Sequence, residues 1–305
     1  MRFIGVTKMK LATAALCALT ALATVNAGAT EGGGGMYPNG AEGVMAGALP
    51  PPGFYYLNYL THYSADRLND KDGNRIPVDF HVNATANVFR FLYMTEVQVA
   101  GGNLGFYAIA PLVHLSGTLS PAPGVSIART KSGIGDISLG SLVAWHGSIW
   151  HAAAGLDISA PTGQYNKNET FNIGRNYWTI QPILAGTLLT SNGLELSAKA
   201  MYDFNTENTD TKYTSGQEFH FDYATTYHLG PWTMGATGYF YKQVSNDHGG
   251  TAALNDGNKG QVFAVGPTLK YDYKNMSLEL KYQKEMLVEN RSEGDKYWLK
   301  LIWAF

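Results

Sequence analysis

The sequence predicts an all-β fold: a transmembrane, antiparallel, up-and-down β-barrel of about 12 strands, with the N- and C-termini on the periplasmic side. Three observations predict it. Segments of roughly 10–14 residues alternate apolar and polar side chains. Short and long connections alternate between these segments along the whole chain, and the N-terminus has the composition of an export signal.

Residues 1–27 have the features of a secretory signal peptide. Three basic residues precede an apolar stretch at 11–23, and small residues follow it. Cleavage after Ala27 or after Ala29 fits these small residues, and we favour Ala27. The apolar stretch is too short to cross ~30 Å of hydrocarbon, so a signal peptide is favoured over a membrane anchor.

Composition excludes several classes of protein. The formal net charge of −2 excludes a strongly basic nucleic-acid binder, and we expect no nucleic-acid partner. Cys17 is the only cysteine and lies within the signal peptide, which excludes disulfides and cysteine-ligated metals in the mature chain. None of the eight histidines has a metal-binding spacing. We therefore expect no metal site and no cofactor.

Residues 28–52 form an irregular segment that is rich in glycine and proline. The glycines at 32–35 do not form a phosphate loop, because no strand and helix flank them. The sequence leaves two positions open for this segment, which either enters the barrel as a plug or hangs free in the periplasm. The barrel itself is predicted over 53–305.

Short turns and long polar loops alternate between the predicted strands, as they do in outer-membrane barrels. In strand 78–97, Arg90 falls on the apolar row. A lipid-facing arginine would cost ~2–4 kcal/mol, so we predict a β-bulge near Phe89 that turns Arg90 inward. The strands are expected at 53–64, 78–97, 104–116, 133–145, 149–160, 176–189, 193–205, 217–228, 231–243, 261–272, 276–287 and 295–305.

The side chains on the predicted inner faces carry charges of both signs. They would form either a ladder of ion pairs that braces the wall or a polar path for a solute. In the last strand, Lys296 and Lys300 are expected to face Glu279 or Glu285. The residues predicted to line the lumen and a substrate path are Tyr56, His62, His81, Arg90, Phe106, His114, Asp136, Asp157, Glu195, Lys199, Asp203, His220, Lys281 and Lys300.

Four stretches resemble one known family. They are "PPPGFYYLNY" at 50–59, "GIGDISLGSLVAW" at 133–145, "ISAPTGQY" at 158–165 and the terminal Phe305. Together they resemble the outer-membrane family associated with the meta-pathway of phenol degradation. The resemblance implies a barrel in the outer membrane of a Gram-negative bacterium that admits small hydrophobic or aromatic molecules.

The resemblance also implies partners. The barrel would sit in a lipid bilayer, and the barrel-assembly machinery would read Trp303 and Phe305 at the end of the last strand. That strand carries an apolar row expected to face lipid, made of Tyr297, Leu299, Leu301, Trp303 and Phe305. The small-molecule substrate and the oligomeric state are left open by the sequence.

We therefore expect a passive channel rather than an enzyme. One alternative is a surface-interaction or structural barrel with a closed lumen, which the long polar loops 65–77 and 244–260 suggest. Another is an embedded lipid hydrolase that uses His146 and Ser148. A lipase needs this pair at the lipid-facing surface with a third group to orient the histidine, whereas here the two residues lie in a short periplasmic turn.

The terminal Phe305 gives the first testable prediction. Its deletion is expected to reduce the amount of folded protein in the outer membrane much more than it changes any solute preference. Heat-modifiable migration on gels, measured on isolated outer membranes, would follow folding. Wild-type levels of folded protein without Phe305 would contradict its role as an assembly signal.

Overall fold

The computed structural model describes residues 33–250 and 257–305, so the predicted signal peptide lies outside the described residues. Within these ranges no helix is long and apolar enough to cross a membrane. The strands are β1 (Gly53–Leu68), β2 (Asp79–Val99), β3 (Gly102–Ala122), β4 (Val125–Ile134), β5 (Ile137–His146), β6 (Trp150–Ala160), β7 (Thr179–Leu189), β8 (Leu194–Asn205), β9 (Glu207–Asn208), β10 (Tyr213–Thr214), β11 (Glu218–Leu229), β12 (Trp232–Gln243), β13 (His248–Gly249), β14 (Gln261–Tyr273), β15 (Met276–Glu289) and β16 (Ser292–Ala304).

The strands close into an antiparallel barrel, which confirms the predicted fold class. The wall has twelve strand positions, and we call each position a stave. β4 and β5 both pair with β3 and together make one stave, while β9, β10 and β13 stand outside the barrel. The barrel closes where β1 pairs with β16 on one side and with β2 on the other. At this seam the backbone N–H of Phe305 donates to the carbonyl of Phe54 at 3.1 Å.

The two ends of the barrel differ in their connections, and we call them the short-turn end and the long-loop end. At the short-turn end, Ala100 and Gly101 join β2 to β3 and both have positive φ, as a two-residue turn between twisted strands requires. At the long-loop end, β9, β10 and β13 form a small sheet where the sequence predicted irregular loops. Which end faces the periplasm stays a prediction.

The distribution of polar and apolar side chains is inverted relative to a soluble protein. Leu184 and Leu280 are 66% and 52% exposed on the outer surface. By contrast, Glu195, Asp203 and Asp222 are completely buried inside. Charged residues are almost never buried without partners in a soluble core. A closed barrel with this inverted distribution is built to stand in lipid.

The predicted bulge near Phe89 is wrong. β2 pairs with β1 in one continuous register from Ala65↔Val82 to Gly53↔Met94. The buried residues Val88, Arg90 and Leu92 therefore share one face, which is the lumen face. The apolar row of β2 lines the inside of the barrel at this point, so Arg90 needs no bulge to avoid lipid.

The stave made of β4 and β5 is interrupted between Gly135 and Asp136. The sequence predicted a long loop at 117–132, but these residues extend the β3–β4 hairpin beyond the rest of the wall. β4 pairs with β3 alone, whereas β5 also pairs with β6. Beyond β6 the chain continues as the segment 161–178, which packs beside β4 without a backbone ladder.

Candidate functional site

The lumen contains the residues that precede β1. We call 33–52 the N-terminal segment. Its residues between Tyr37 and Gly47 bind side chains on two opposite parts of the barrel wall. This segment is irregular and forms no ladder with a strand. Some of its backbone N–H groups donate within the segment, as Ala41 does to the Pro38 carbonyl, and others donate to side chains of the wall.

One part of the wall accepts hydrogen bonds from the segment, and we call it the acceptor wall: Asp222, Glu195 and Thr187 on β11, β8 and β7. Asp222 accepts from the Tyr37 hydroxyl and the Gly40 N–H, both at 2.7 Å, and from the Glu42 N–H at 3.0 Å. Glu195 accepts from the Met45 N–H at 2.6 Å, and Thr187 accepts from the Gly47 N–H at 3.0 Å.

The other part of the wall donates hydrogen bonds, and we call it the donor wall: Lys281, Lys296 and Lys300 on β15 and β16. The Lys281 ammonium donates to the carbonyls of Gly40 and Ala41, both at 2.7 Å. The Lys296 ammonium donates to the carbonyl of Asn39 at 2.9 Å. The segment therefore lies with its N–H groups toward carboxylates and its carbonyls toward ammonium groups.

Glu42 is the only charged residue in the N-terminal segment. Its carboxylate contacts Arg90, Tyr59 and Lys300, and we call this set of contacts the Glu42 latch. Its Oε1 atom accepts from the Arg90 guanidinium and the Tyr59 hydroxyl, both at 2.7 Å. Its Oε2 atom accepts from the Lys300 ammonium at 2.5 Å. Burial raises the pKa of the Glu42 carboxyl, but the charges of Lys300 and Arg90 outweigh burial and hold that pKa well below its usual value.

A close backbone approach explains one glycine of the segment. A Cβ atom added to Gly47 would lie 2.6 Å from the backbone Cα and carbonyl carbon of Gly186 on β7. No side chain fits in this space without moving the backbone of the segment or of the wall. The small residues of this part of the chain let the segment lie directly against the barrel.

Eight of the fourteen predicted site residues lie on the inside of the barrel. One of these eight, Lys199, is half-buried. Asp136 is not among them and lies at the break between β4 and β5. There its carboxylate accepts from the N–H groups of Gly163 and Arg175 at 2.8 and 2.7 Å. The other seven inner residues are buried: Arg90, Asp157, Glu195, Asp203, His220, Lys281 and Lys300.

The predicted lumen position of the other five site residues is wrong, because they lie on the outer face or outside the wall. In β1, Tyr55, Leu57 and Tyr59 are buried inside, so the alternate row faces outward. The same alternation in β2 and β3 follows from their continuous register. Both rows of β1 contain aromatic residues, which is why the sequence misassigned its faces. The misassigned residues are Tyr56, His62, His81, Phe106 and His114.

The expectation that Lys300 faces Glu279 on the neighbouring strand is confirmed by the register of β15 and β16. Lys300 and Glu279 are direct cross-strand partners, but the Lys300 ammonium forms its ion pair with Glu42. Glu42 is a site residue that was not predicted. Its isolation as a single charge in a stretch of glycine and alanine was the available signal.

The other chemical candidates contribute little. His146 and His151 face each other across their hairpin, with their Nδ1 atoms 2.9 Å apart. Over residues 33–250 and 257–305, no group of three or more potential ligands could hold a metal ion.

A cavity of about 360 Å³ lies beside the N-terminal segment in the half of the lumen nearer the short-turn end. Residues 42–50 of the segment, except Gly43 and Gly47, form one side of it. The Glu42 latch lies at its inner end, and the turn residues Lys274 and Asn275 lie at the other. The cavity is therefore bounded by the segment that the latch holds in place.

Replacement of Glu42 by glutamine is expected to loosen the segment without unfolding the barrel. The change leaves Arg90 and Lys300 buried without a counter-charge, which costs ~3–5 kcal/mol in comparable buried pairs. Amide hydrogen exchange of residues 39–47 should then become faster by roughly 10²- to 10⁴-fold. Glu207→Gln, at an exposed carboxylate paired with Lys212, is the matched control and should change nothing.

The same contact predicts a pH dependence. The pKa of Glu42 is lower in the docked segment than in a free one, so the latch is fully present above the ordinary carboxyl pKa of ~4.3. It is lost as the pH falls from there through the depressed pKa. The difference in exchange between wild type and Glu42→Gln should stay constant from neutral pH to about pH 5 and shrink below ~4. A constant difference down to pH 2 would contradict this account.

The fold was compared with known proteins. The family model described as "Putative MetA-pathway of phenol degradation" matches residues 65–301. An outer membrane channel from Pseudomonas putida F1 has 16% identity and a TM-score of 0.75, over 85% of this chain and 98% of that chain. The β-domain of the Bordetella autotransporter BrkA has 10% identity and a TM-score of 0.51, over 83% and 100%.

A monoaromatic hydrocarbon channel, CymD, has 10% identity over 92% of this chain and 98% of that chain, but its TM-score of 0.43 carries no weight. No curated protein matches the sequence. At such identities the solved structures show the fold alone. The family model, however, covers most of the barrel, and the inverted surface places that barrel in a bilayer. The chain is a twelve-stranded barrel of the outer membrane of a Gram-negative bacterium, and it belongs to the family described as "Putative MetA-pathway of phenol degradation".

Proposed function

We propose that the protein is a passive outer-membrane channel for small hydrophobic or aromatic molecules, and not an enzyme. The observation that carries the proposal is the cavity of about 360 Å³ inside a closed barrel, bounded by a segment that is held by non-covalent contacts alone. The family to which the chain belongs, and the name of its solved relative from Pseudomonas putida F1, support this function.

In this proposal the N-terminal segment is a plug. Its backbone makes no ladder with any strand and is held by single side-chain contacts. Each such hydrogen bond contributes only ~1–3 kcal/mol net, because water replaces it when the segment leaves. The channel is therefore closed while the segment is bound to the wall. Release of the segment would open the channel and join the cavity to the rest of the lumen.

The interrupted stave offers an exit for apolar solutes. Beside β4 the wall consists of the segment 161–178, which is held by side chains rather than by a backbone ladder. The Lys131 ammonium forms an ion pair with Glu169 and lies 3.4 Å from the Oδ1 atom of Asn172. A solute that passed between β4 and this segment would leave the lumen through the wall of the barrel.

A closed structural barrel is the second candidate, since the N-terminal segment lies inside the lumen and the small sheet stands at the long-loop end. Asp247 fixes this sheet through the Tyr213 hydroxyl and the N–H of Gly216. Such a barrel would serve surface interactions and would pass no solute. The two candidates therefore differ in permeability. The assembly machinery stays a proposed partner in both.

A cross-link across the interrupted stave tests the channel and its exit together. The mature chain has no cysteine, so Lys131→Cys with Glu169→Cys can be joined by a cleavable bismaleimide. In a Gram-negative host, the wild type should speed entry of N-phenyl-1-naphthylamine, which the intact outer membrane excludes. The cross-link should abolish that gain, and cleavage of the linker should restore it.

The matched control is Lys131→Ser with Glu169→Ser, which removes the same ion pair but cannot be linked. It should keep the wild-type entry rate after the same treatment. If the wild type gave no gain over the host, the closed barrel would be favoured. If the gain survived cross-linking, the exit beside β4 would be wrong while the channel would stand.

A further inference from the structure

We propose that the cavity beside the N-terminal segment binds small aromatic anions in preference to neutral or cationic aromatics of the same size. This inference rests on the proposed function and names the solute class that the channel recognises. It follows from three properties of the cavity, namely an apolar surface, an excess of positive charge and a half-buried ammonium group that has no carboxylate at contact distance.

The apolar surface comes from the strands next to the barrel seam. Tyr55, Leu57, Leu92, Tyr107 and Leu142 are buried, pack together and line the cavity. Aromatic and aliphatic side chains of this kind bind a ring through its faces and edges. With a volume of about 360 Å³, the cavity lies at the small end of ligand sites and suits a small aromatic molecule.

The charges that line the cavity are mainly positive. Five cationic side chains line it, against the two carboxylates of Glu42 and Glu279. Glu42 already binds two of these cations in the latch, and Glu279 accepts from the Thr268 hydroxyl at 3.1 Å. The cations are Arg90, Lys199, Lys270, Lys274 and Lys300. An anion that enters this space meets an attractive field, and a cation is repelled.

Lys199 on β8 is the group that would contact the anion. Its ammonium lies 4.6 Å from the centre of the Tyr37 ring, a cation–π distance. Within the described ranges, no carboxylate lies within 4 Å of this ammonium and its side chain makes no hydrogen bond, while the charges of Glu42, Asp157 and Asp222 act on it from farther away. The other inner cations differ, because Lys300 and Arg90 bind Glu42 and Lys270 binds Asp272.

A sulfonate or carboxylate on an aromatic ring would satisfy both halves of this site. The anionic group would accept hydrogen bonds from Lys199, which are charge-assisted and stronger than neutral ones. The ring would pack on the apolar surface nearby. A neutral aromatic would gain the packing alone, and an aromatic cation would place its charge against five others of the same sign.

Isothermal titration calorimetry on the purified full-length protein in detergent tests the inference. The probes are benzenesulfonate, benzamide and trimethylphenylammonium, which share one ring and differ in charge. We expect benzenesulfonate to bind at least tenfold more tightly than benzamide, and trimethylphenylammonium to bind most weakly. Lys199→Met should lower the affinity for benzenesulfonate about tenfold and leave benzamide unchanged. Lys199→Arg should restore most of the loss.

The matched control is Lys242→Met, which removes an exposed ammonium that contacts Gln261 outside the cavity. Its affinities should equal those of the wild type. Equal or weaker binding of benzenesulfonate than of benzamide by the wild type would overturn the inference, whatever the variants do. Failure of the proposed channel would show itself separately, as no gain in entry of the neutral naphthylamine probe, because binding and passage are measured on different preparations.

Discussion

The carboxylate of Glu42 lies between Arg90 and Lys300, and the arrangement of the lumen depends on this contact. Cations on β2 and β16 would be costly in a dry barrel, and the N-terminal segment supplies their counter-charge. Once Glu42 is held there, the neighbouring backbone lies between the acceptor wall and the donor wall in matched orientation. The cavity, the closed state and the half-buried Lys199 all follow from that placement of the segment.

The same contact explains how a strongly charged lumen is compatible with a proposed preference for aromatic solutes. The ammonium groups of the donor wall and the carboxylate of Asp222 bind the segment, whereas Glu195 binds both the segment and His228 on the neighbouring strand. The apolar residues near the seam, such as Leu57 and Tyr107, are left free to line a cavity. The lumen thus combines polar contacts that hold a removable segment with an apolar surface that can hold a ring.

Much of the fold could be predicted from the sequence because the constraint that produces it is local. Alternating side chains and turn residues such as Ala100–Gly101 mark each stave, and most strand ends lie within a few residues of their predicted positions. The orientation of β1 could not be predicted, because Tyr55 and Tyr56 put aromatic residues in both rows. The position of Glu42 is set chiefly by its ion pairs with Arg90 and Lys300, which lie 48 and 258 positions away, and no local pattern encodes them.

The most direct test of the central claim is the single-channel conductance of the protein in planar bilayers, with and without residues 33–49. The account holds that this part of the N-terminal segment closes an otherwise open barrel. Its deletion should convert a closed or briefly opening protein into a steady pore, while heat-modifiable migration shows that the barrel is still folded. Equal conductance of the two folded proteins would contradict the account.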